Sequence, residues 1–345
     1  MDLSLFQYRL PPERIAQYPA EQRDASRLLV CDRATRRRAD HVFGDLPALL
    51  RPGDLLVVND SRVIPARLLG RVDPGGAPVE LLFVRAAGPG RWEALARPGK
   101  RCRPGAVMVF GDGQARVRVV AVTEGGRGIV EIEDGGPVRE ILERHGMPPL
   151  PPYIRRHQKP GQEDWERYQT VYATHEGSVA APTAGLHFTP GLLERLEAGG
   201  VEIRALTLHV GPGTFRPIRA ASVEAHRMEA EEVTVSAETS DAINRAKAEG
   251  RRVVAVGTTT CRALESASDH GGRVRPASGS TDLFIYPGYR FKVMDALLTN
   301  FHLPRSSLLL LACAFAGREF ALGAYRHAVE AGYRFYSYGD AMLIS

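Results

Sequence analysis

A run of short β-like segments between Ala66 and Glu133 constrains the fold of this chain more than any other feature of its sequence. Glycine and proline clusters such as Asp73-Pro74-Gly75-Gly76 and Gly111-Asp112-Gly113 separate the segments, and tight turns require these residue types. The six predicted strands are Ala66–Val72, Val79–Arg85, Arg91–Ala96, Ala106–Phe110, Ala115–Val122 and Gly128–Ile132. Regular short strands joined by such turns favour a small antiparallel β-barrel.

The sequence outside this run alternates helix-like and strand-like segments. The predicted helices are Pro190–Ala198, Ala237–Glu249, Ser306–Phe315 and Ala324–Glu330, and the predicted strands are Val201–Val210, Arg252–Val256 and Tyr333–Tyr338. Such alternation is typical of an α/β domain. Because the barrel-like run interrupts this pattern and a proline-rich hinge, Pro148–Pro152, follows it, we predict an insertion. The α/β main domain is expected over residues 1–65 and 136–345, and the six-stranded barrel over residues 66–135.

Composition favours an intracellular globular protein. The 345 residues are 44% hydrophobic, enough for a full core without disulfides or metal. The four cysteines lie far apart and form no C-x-x-C pair, which argues against a zinc knuckle or a disulfide framework. The N-terminus lacks a long apolar run, and the most apolar stretch, Leu308–Ala316, is far shorter than the roughly 20 residues that span a bilayer. We therefore predict a cytoplasmic protein without a membrane span, in which Leu308–Ala316 is a buried helix.

Basic residues outnumber acidic ones and bunch in three places. The formal net charge is +5 and the sequence pI is about 9.1. The basic clusters are Arg36–Arg38, Arg97–Arg103 and Arg155–Lys159. This excess fits a nucleic-acid partner, but a solvated basic surface explains the charge equally well.

Several familiar catalytic motifs are absent, including H-E-x-x-H, G-x-S-x-G, the P-loop and G-x-G-x-x-G. Six polar, glycine-marked segments stand out instead. The first follows an apolar run and supplies Asn59, Asp60, Arg62 and Arg67, of which the arginines suit capture of phosphate or carboxylate. The alternative is a turn capped by Asn59 and Asp60 with solvent-facing arginines.

The second segment surrounds a histidine with small residues. Thr183 and Gly185 would let the backbone approach a ligand closely, and His187 has a side chain that ordinarily titrates near neutrality. Thr189 and Pro190 also make a good helix N-cap with proline at the first helical position. Capping therefore explains the end of the segment, whereas the loop before it and His187 indicate a ligand.

The third segment is a strand that ends in a glycine loop, the usual place for a site in an α/β protein. His209 is followed there by Gly211, Gly213 and Thr214. A plain turn beside a core histidine explains the same residues. Farther along the sequence, Glu231 follows a histidine and another glutamate within a few residues. Charged residues on the solvent-facing side of a helix produce the same pattern.

The remaining segments carry hydroxyl groups, aromatic rings and an acid. Thr258 and Thr259 follow a strand and begin a helix, whose N-terminal N–H groups suit an anion such as the carboxylate of methionine. The fifth segment supplies Tyr286, Asn300, Phe301 and His302, and the sixth supplies Asp340. The aromatic rings suit a stacked base or a sulfonium cation, or else form core packing.

Taken together, these segments resemble the S-adenosylmethionine:tRNA ribosyltransferase-isomerase family of the queuosine pathway, and the similarity runs from about Phe6 to Met342. The most specific stretches are Asn59–Arg67, Pro151–Arg155, Tyr168–Ala173, Ala181–Thr189, Leu206–Phe215, Thr299–Pro304 and Tyr338–Ala341. The resemblance implies an α/β domain with an inserted β-barrel, in agreement with the division indicated by the turns.

The resemblance also implies a reaction on tRNA. The base 7-aminomethyl-7-deazaguanine, already installed at the wobble position of a GUN anticodon, receives an epoxycyclopentanediol made from the ribose of S-adenosylmethionine, while adenine and methionine leave. S-adenosylmethionine is thus a co-substrate. No prosthetic group and no metal are implied, because the sulfonium is itself the electrophile.

Roles within that reaction are assigned to the polar segments as a hypothesis. His187, His209 and His302 are predicted to act as base or acid, with Asp340 or Glu231 as orienting carboxylates. The predicted contacts to S-adenosylmethionine are Thr183, Gly185, Gly211, Gly213, Thr214, Thr258, Thr259 and Tyr286. The predicted contacts to RNA are Asn59, Asp60, Arg62, Arg67, Arg97, Lys100, Arg101, Arg155, Asn300 and Phe301.

Two other functions compete with this one. An S-adenosylmethionine-dependent RNA methyltransferase would use the same co-substrate, but the glycine-rich loop after its first strand is absent here. A non-catalytic RNA-binding protein would not need so many clustered polar motifs. Release of adenine from S-adenosylmethionine separates the three functions, since neither competitor produces it.

Overall fold

A nine-stranded sheet and a closed six-stranded barrel form the framework of the protein in the computed structural model, which describes residues 1–133, 136–156, 161–215, 218, 220 and 222–345. In chain order the strands are β1 (Arg27–Cys31), β2 (Arg38–Val42), β3 (Leu55–Asn59), β4 (Ser61–Val63), β5 (Arg67–Asp73), β6 (Pro78–Ala86), β7 (Arg91–Arg97), β8 (Val107–Phe110), β9 (Ala115–Val122), β10 (Gly128–Ile132), β11 (His175–Ser178), β12 (Glu202–Leu208), β13 (Glu231–Val235), β14 (Val253–Val256), β15 (Ala277–Thr281), β16 (Ala296–Asn300) and β17 (Ala341–Ile344). The α-helices are α1 (Leu46–Leu49), α2 (Val138–His145), α3 (Gln162–Arg167), α4 (Pro190–Ala198), α5 (Ala237–Ala248), α6 (Thr258–Ser266), α7 (Ser307–Ala316) and α8 (Arg318–Glu330).

The large sheet has the strand order β15-β13-β12-β3-β14-β16-β17-β1-β2. Its centre is parallel: β12, β3, β14 and β16 run in one direction, each hydrogen-bonded to the next. The edges are mixed, since β17 runs antiparallel to β16 and β13 antiparallel to β12. The carboxyl ends of the four central strands therefore meet at one edge of the sheet.

Helices cover both faces of this sheet. Along β3, Leu55 and Val57 belong to the core beneath α5, α6, α7 and α8, whereas Leu56 and Val58 belong to the core beneath α1 and α4. Successive side chains of a strand point to opposite faces, so a strand covered on both sides must be apolar throughout. This explains why the strand shows a continuous apolar run in the sequence, and it confirms the predicted α/β class.

Helix α4 has the predicted bounds and the predicted cap. The Thr189 hydroxyl accepts a hydrogen bond from the Leu192 N–H at 3.1 Å, and Pro190 occupies the first helical turn. Leu192 and Leu196, four residues apart, lie on its buried face. A cap and an apolar stripe thus fix where this helix begins and which side it buries.

The barrel is closed and fully antiparallel, with the strand order β10-β7-β6-β5-β8-β9. Each predicted barrel strand is confirmed within one residue at either end. Gly70 is required by close approach, because a Cβ atom there would come within 2.2 Å of the Val109 carbonyl oxygen. Beyond the barrel, Met147 pairs with Arg67, so the chain returns beside the point at which it left. The domain boundaries at residues 66 and 135 stay a prediction.

The closing strand was placed wrongly by the sequence pattern. Over Tyr333–Tyr338 only Phe335 forms a β-bridge, and the last strand is β17. The physical reason is a turn: Tyr336 has a φ of 74°, and the Asp340 carboxylate accepts the Arg334 N–H at 2.7 Å. Helix α8 likewise begins earlier than predicted, directly after Gly317, whose φ of 85° breaks it from α7.

The apolar stretch near the C-terminus is buried helix α7, as predicted. Among the described residues no single helix is long and apolar enough to cross a membrane, although α7 and α8 together, bent by 117°, satisfy the length and composition. All four cysteines, Cys31, Cys102, Cys261 and Cys313, are buried and free.

Candidate active site at the carboxyl edge of the sheet

Four of the polar segments meet where the central parallel strands end. Asn59 ends β3 and Asn300 ends β16, while His209 directly follows β12 and Thr258 lies two residues beyond β14. In α/β proteins ligands bind beside the carboxyl ends of such strands. The topology of the sheet therefore brings together residues that are separated by up to 241 positions in the chain (300 − 59).

Asn59 holds the site together from inside. Its Oδ1 accepts the N–H groups of Ser61 at 3.1 Å and Leu208 at 3.0 Å, and its Nδ2 donates to the Leu208 carbonyl at 2.9 Å. The side chain is completely buried, and these bonds join the ends of β3 and β12. The predicted contact of Asn59 with RNA is therefore wrong, because its amide is already satisfied within the protein.

Asp60 connects a buried hydroxyl to an exposed histidine that sequence reasoning missed. One carboxylate oxygen accepts the Thr207 hydroxyl at 2.7 Å, and the other lies 3.1 Å from His175 Nδ1. Asp60 is 8% exposed, whereas His175 is largely exposed. No sequence motif marked His175, because its relation to Asp60 depends on the pairing of β4 with β11.

His187 lies in a chain of hydrogen bonds. Asn300 Nδ2 is 3.2 Å from His187 Nε2, and His187 Nδ1 is 2.7 Å from Ser26 Oγ, whose hydroxyl donates to the Arg23 carbonyl at 3.2 Å. Since an amide nitrogen only donates, this arrangement assigns the imidazole proton to Nδ1. Burial, followed by the positive charges of Arg334 and Arg23, lowers the pKa of His187 to about 3. The ring is therefore neutral at physiological pH.

His302 is also buried and neutral. Its Nε2 lies 2.9 Å from Thr299 Oγ1, and burial lowers its pKa to about 3. The residue helps to line a small cavity, of about 10 Å³, in which residues from three of the polar segments meet. The polar lining consists of Thr183, Thr214, Asn300, His302, Ser306, Tyr336 and Ser337.

His209 differs from the other two histidines in facing a large cleft. The cleft measures about 670 Å³ and lies between the α/β sheet and barrel residues such as Trp92 and Arg127. The ring packs on Gly177, where a Cβ atom would come within 2.9 Å of His209 Cε1. Its Nδ1 has no hydrogen-bond partner within the described part of the chain, and burial lowers its pKa. The imidazole thus lines the cleft, while its Nδ1 is buried and has no hydrogen-bond partner among the described residues.

Glu231 organises the glycine loop rather than a histidine. One of its oxygens accepts the Gly211 N–H at 2.9 Å and the Thr214 hydroxyl at 2.6 Å, and the other binds the Arg262 guanidinium. Both members of this ion pair are buried. Sequence reasoning assigned Arg262 no role, because its pairing with Glu231 depends on the packing of α6 against β13. A Cβ atom at Gly213 would lie 2.5 Å from Glu229 Oε2, so a side chain there would require the Glu229 carboxylate to move.

Asp340 also binds main chain. Its carboxylate accepts the N–H groups of Arg27 at 3.0 Å and Arg334 at 2.7 Å, which ties the turn before β17 to the start of β1. The Arg334 guanidinium lies 3.6 Å away. These bonds place Asp340 as a positioning residue for the turn that contains Tyr336 and Ser337.

The loop Thr183–His187 packs over the N-terminus of α6. Gly257, which begins that helix with a φ of 93°, has Ala184 as a neighbour 3.7 Å from the position of a Cβ atom. Thr259 Oγ1 lies 3.5 Å from Asn59 Nδ2. Gly185 is required by packing, because a Cβ atom there would come within 2.1 Å of the Tyr172 hydroxyl.

Two predicted aromatic contacts lie away from this cavity. Phe301 is completely buried and packs against Tyr325, Tyr333 and Phe335, with ring centroids 5.1 to 5.4 Å away. The prediction that it stacks on a base is therefore wrong, because the side chain after the strand points into the core. Tyr286 packs beside Phe284, at 5.1 Å between ring centroids, on the edge of the same core.

The basic residues predicted to contact RNA differ in whether their charges are paired with a carboxylate. Arg67 is paired with Glu80 at 2.6 Å, and Arg62 lies 4.0 Å from Glu176. The exposed residues of the other two clusters include Arg97, Lys100 and Arg155, and Arg101 is partly exposed. Within the cluster Arg155–Lys159, Arg156 is paired with Asp164 at 2.6 Å, while residues 157–159 lie outside the described residues.

The described residues contain no group of three or more His, Cys, Asp or Glu side chains that could hold a metal ion. The polar atoms of the site belong to amides, hydroxyls, neutral imidazoles and main-chain N–H groups, together with the carboxylates of Asp60, Glu231 and Asp340. Such a set can bind a polar organic ligand and move protons.

Comparison with known proteins identifies the family. The family model described as "Queuosine biosynthesis protein" matches residues 3–344. The S-adenosylmethionine:tRNA ribosyltransferase-isomerases of Moorella thermoacetica and Pelotomaculum thermopropionicum are 54% and 53% identical to this chain, and each match covers 100% of both proteins. A crystal structure of S-adenosylmethionine tRNA ribosyltransferase from Thermotoga maritima is 39% identical, covers 99% of this chain and 100% of its own, and has a TM-score of 0.56. The fold, the polar edge of its sheet and these full-length matches show that the chain belongs to the queuosine biosynthesis protein family.

Proposed function

We propose that this chain transfers and isomerises the ribosyl group of S-adenosylmethionine onto 7-aminomethyl-7-deazaguanine at the wobble position of tRNA with a GUN anticodon. The products are epoxyqueuosine-tRNA, adenine and methionine. One observation carries the proposal: full-length relatives that are half identical to this chain bear the name of that activity. The convergence of three polar segments on one small cavity at the sheet edge supports it.

The chemistry needs a base and a route for the proton. The sulfonium of S-adenosylmethionine acidifies the adjacent ribose C5′–H, so a base of modest strength removes that proton, and the departing adenine must be protonated. The amine of the deazaguanine base is the nucleophile. No residue of the chain needs to form a covalent intermediate in this scheme.

We assign the base to His209. Its ring lines the large cleft, and burial lowers its pKa, which keeps the imidazole neutral and able to accept a proton at physiological pH. His187 and His302, each with a pKa of about 3, hold too little of the protonated form at neutral pH to act as acids. They serve as neutral hydrogen-bonding groups that orient Asn300 and Thr299.

The co-substrate is expected along the glycine loop and helix α6. The loop residues Gly211 and Gly213 let the backbone approach a ligand, and Glu231 holds their conformation. Helix α6, nine residues long, directs its first N–H groups towards this edge, where an anionic group of a substrate would be stabilised. Thr183 and Thr214, which share the cavity beside His302, add hydroxyl groups.

The RNA is expected on the exposed basic residues. Arg97 ends barrel strand β7, Lys100 and Arg101 follow that strand, and Arg155 follows the proline-rich hinge. Phosphate contacts from such residues position an RNA without reading its sequence. Free cysteines and a tRNA substrate fit a cytoplasmic location.

The test is incubation of the purified protein with S-adenosylmethionine and tRNA that bears 7-aminomethyl-7-deazaguanine. Chromatography for free adenine and mass analysis of the digested nucleosides should find adenine and the epoxycyclopentanediol adduct in equal amounts. A methylated nucleoside with S-adenosylhomocysteine would overturn the proposal in favour of a methyltransferase. Binding of tRNA without any product would overturn it in favour of a binding protein.

The assignment of the base has its own variant. His209→Asn should lower the rate of adenine release by about 100-fold or more, the usual contribution of a general base. Affinity for S-adenosylmethionine should change little. The matched control is His327→Asn, a partly exposed histidine on α8, which should keep the wild-type rate. A His209→Asn protein with normal turnover would remove the assignment.

A further inference from the structure

A small polar cavity beside His187 is lined by three arginines. They are Arg23, Arg167 and Arg334, and Ser26 and Ser337 complete the polar lining. The cavity measures about 20 Å³. Ser337 also lines the cavity that contains His302, so the two spaces adjoin within the candidate site. None of the polar segments that the sequence singled out included Arg23 or Arg167.

Two of these arginines are held by neutral groups. Arg23 donates to the main-chain oxygens of Leu186 at 2.9 Å and Glu166 at 2.7 Å, and Arg167 donates to that of Glu21 at 3.2 Å. Neither guanidinium forms an ion pair with a carboxylate of the described residues. Main-chain carbonyls orient a guanidinium without cancelling its charge, so both positive charges remain.

The third arginine has one carboxylate nearby, and that carboxylate is already engaged. Asp340 Oδ1 lies 3.6 Å from Arg334 Nη2, but the two Asp340 oxygens accept main-chain N–H groups of Arg27 and Arg334. Arg167 Nε is buried and has no hydrogen-bond partner among the described residues. The cavity therefore has more positive charge and more donors than the protein itself satisfies.

Burial and the excess positive charge of the cavity lower the pKa values of Arg23 and His187. Burial and then the charge of Arg167 lower the pKa of Arg23. The charges of Arg334 and Arg23 add to the effect of burial in lowering the pKa of His187. Like charges held this close are destabilising unless an anion joins them.

We propose that the cavity formed by Arg23, Arg167 and Arg334 binds an oxyanion of the substrate during the reaction. The planar guanidinium suits two-pronged binding of carboxylate or phosphate, so three of them around one small space are suited to an oxyanion. The inference rests on the proposed function, because its two sources are the methionine carboxylate of S-adenosylmethionine and a backbone phosphate of tRNA. A bound oxyanion would also counter the effect of Arg334 and Arg23 on the pKa of His187, without removing the larger effect of burial.

The test compares arginines inside and outside the cavity. Arg23→Gln and Arg167→Gln remove one positive charge each. Arg195→Gln is the matched control, because Arg195 also donates to a main-chain oxygen, that of Gly44 at 3.1 Å, but lies exposed on α4. Affinity for S-adenosylmethionine is measured by calorimetry, and affinity for tRNA bearing 7-aminomethyl-7-deazaguanine is measured over a range of salt concentrations.

Each cavity variant should bind one substrate at least about tenfold more weakly, as expected when a charged hydrogen bond is removed. A weakening confined to S-adenosylmethionine identifies its carboxylate as the occupant. A weakening confined to tRNA, with the salt slope reduced by about 1, identifies a phosphate. Unchanged affinity for both substrates in folded variants would overturn the proposal.

A second measurement covers variants that fail to fold. Inorganic phosphate should raise the Tm of the wild-type protein saturably, and by more than sodium chloride does at equal ionic strength. Arg23→Lys and Arg167→Lys, which keep the charge but lose the planar fork, should show a smaller rise, and Arg195→Gln the full rise. No specific rise in the wild type would overturn the proposal. These binding measurements need no turnover, so they fail separately from adenine release, which tests the proposed function.

Discussion

The barrel and the carboxyl edge of the sheet use arginine in opposite ways. In the barrel, Arg85 and Arg127 share Glu93 at 2.9 and 3.0 Å, and Arg116 binds Glu133 at 2.7 Å. In the cavity beside His187, the guanidiniums bind mostly main-chain carbonyls. The charges of these three barrel arginines are therefore neutralised by carboxylates of neighbouring strands, whereas the cavity charge remains for a ligand. A net charge of +5 does not distinguish these two cases. They differ in the partner that each arginine binds, a carboxylate or a main-chain carbonyl.

The largest expected effect concerns an arginine of the sheet region that does have a carboxylate. Arg262→Met leaves Glu231 buried and unpaired, and we expect a loss of about 3–5 kcal/mol in the free energy of unfolding. Chemical denaturation measures it. The control is Arg139→Gln on α2, whose side chain is 69% exposed and should matter little. Similar small losses for both variants would contradict the contrast between buried and exposed pairs.

The next effect is a pH dependence that arises from two buried histidines at the sheet edge. The folded-state pKa of about 3 for His187 and for His302 lies below the ordinary value of 6.5. Between these values the unfolded chain binds more protons, so acidification favours unfolding. Each histidine should lower the free energy of unfolding by about 1.4 kcal/mol per pH unit as the pH falls below 6.5.

Variants sharpen this prediction. His302→Asn should remove the contribution of His302 to the slope of the free energy of unfolding against pH, measured from pH 7 to pH 4. Arg23→Gln should reduce the share of His187 alone, because Arg23 lowers the pKa of His187 while burial alone lowers that of His302. An unchanged slope in His302→Asn would show that this ring is not the source.

A smaller effect tests whether the exposed barrel charges bind RNA. Replacing Lys100 and Arg101 by glutamine should reduce the slope of log K against log salt by about 2 for tRNA binding, which is about 1 for each phosphate that is no longer neutralised. The barrel control is Arg118→Gln, since Arg118 already binds Glu133. Equal slopes for the double variant and the wild type would remove these residues from the RNA surface.

The smallest effect is expected within the barrel network itself. Arg85→Gln removes a pair whose arginine is 52% exposed, and Glu93 keeps its bond to Arg127. The free energy of unfolding should fall by less than about 1 kcal/mol, as for other exposed pairs. A loss above about 2 kcal/mol would mean that the barrel charges act as a cooperative network.

Local features were predictable from the sequence because their physical causes act over a few residues. The barrel strands were found within one residue because turn residues mark both ends of each strand. Helix α4 was found because Thr189 caps an N–H only three residues away. The roles of the three selected histidines stay a prediction, and their protonation and partners were not visible in the sequence.

Residues that are adjacent in the sequence can have different environments, which the sequence pattern does not predict. Phe301 and His302 are adjacent, yet the first lies in the core and the second lines the site cavity. Asn59 looked like an RNA contact but is a buried link between two strands. The position of a residue relative to the end of its strand decides whether its side chain points into the core or into the site. The residue type alone does not show where the strand ends.

By itself, then, the sequence determined the α/β class, the barrel strands and the caps, since turn chemistry and hydrophobic periodicity are local. Only the tertiary structure decided which side chains form ion pairs and hydrogen bonds with one another. Ser26 and His187 are 161 residues apart but 2.7 Å from each other, and Glu231 meets Arg262 across a strand and a helix. Hydrogen bonds and ion pairs act over a few ångströms of space, whatever the distance along the chain.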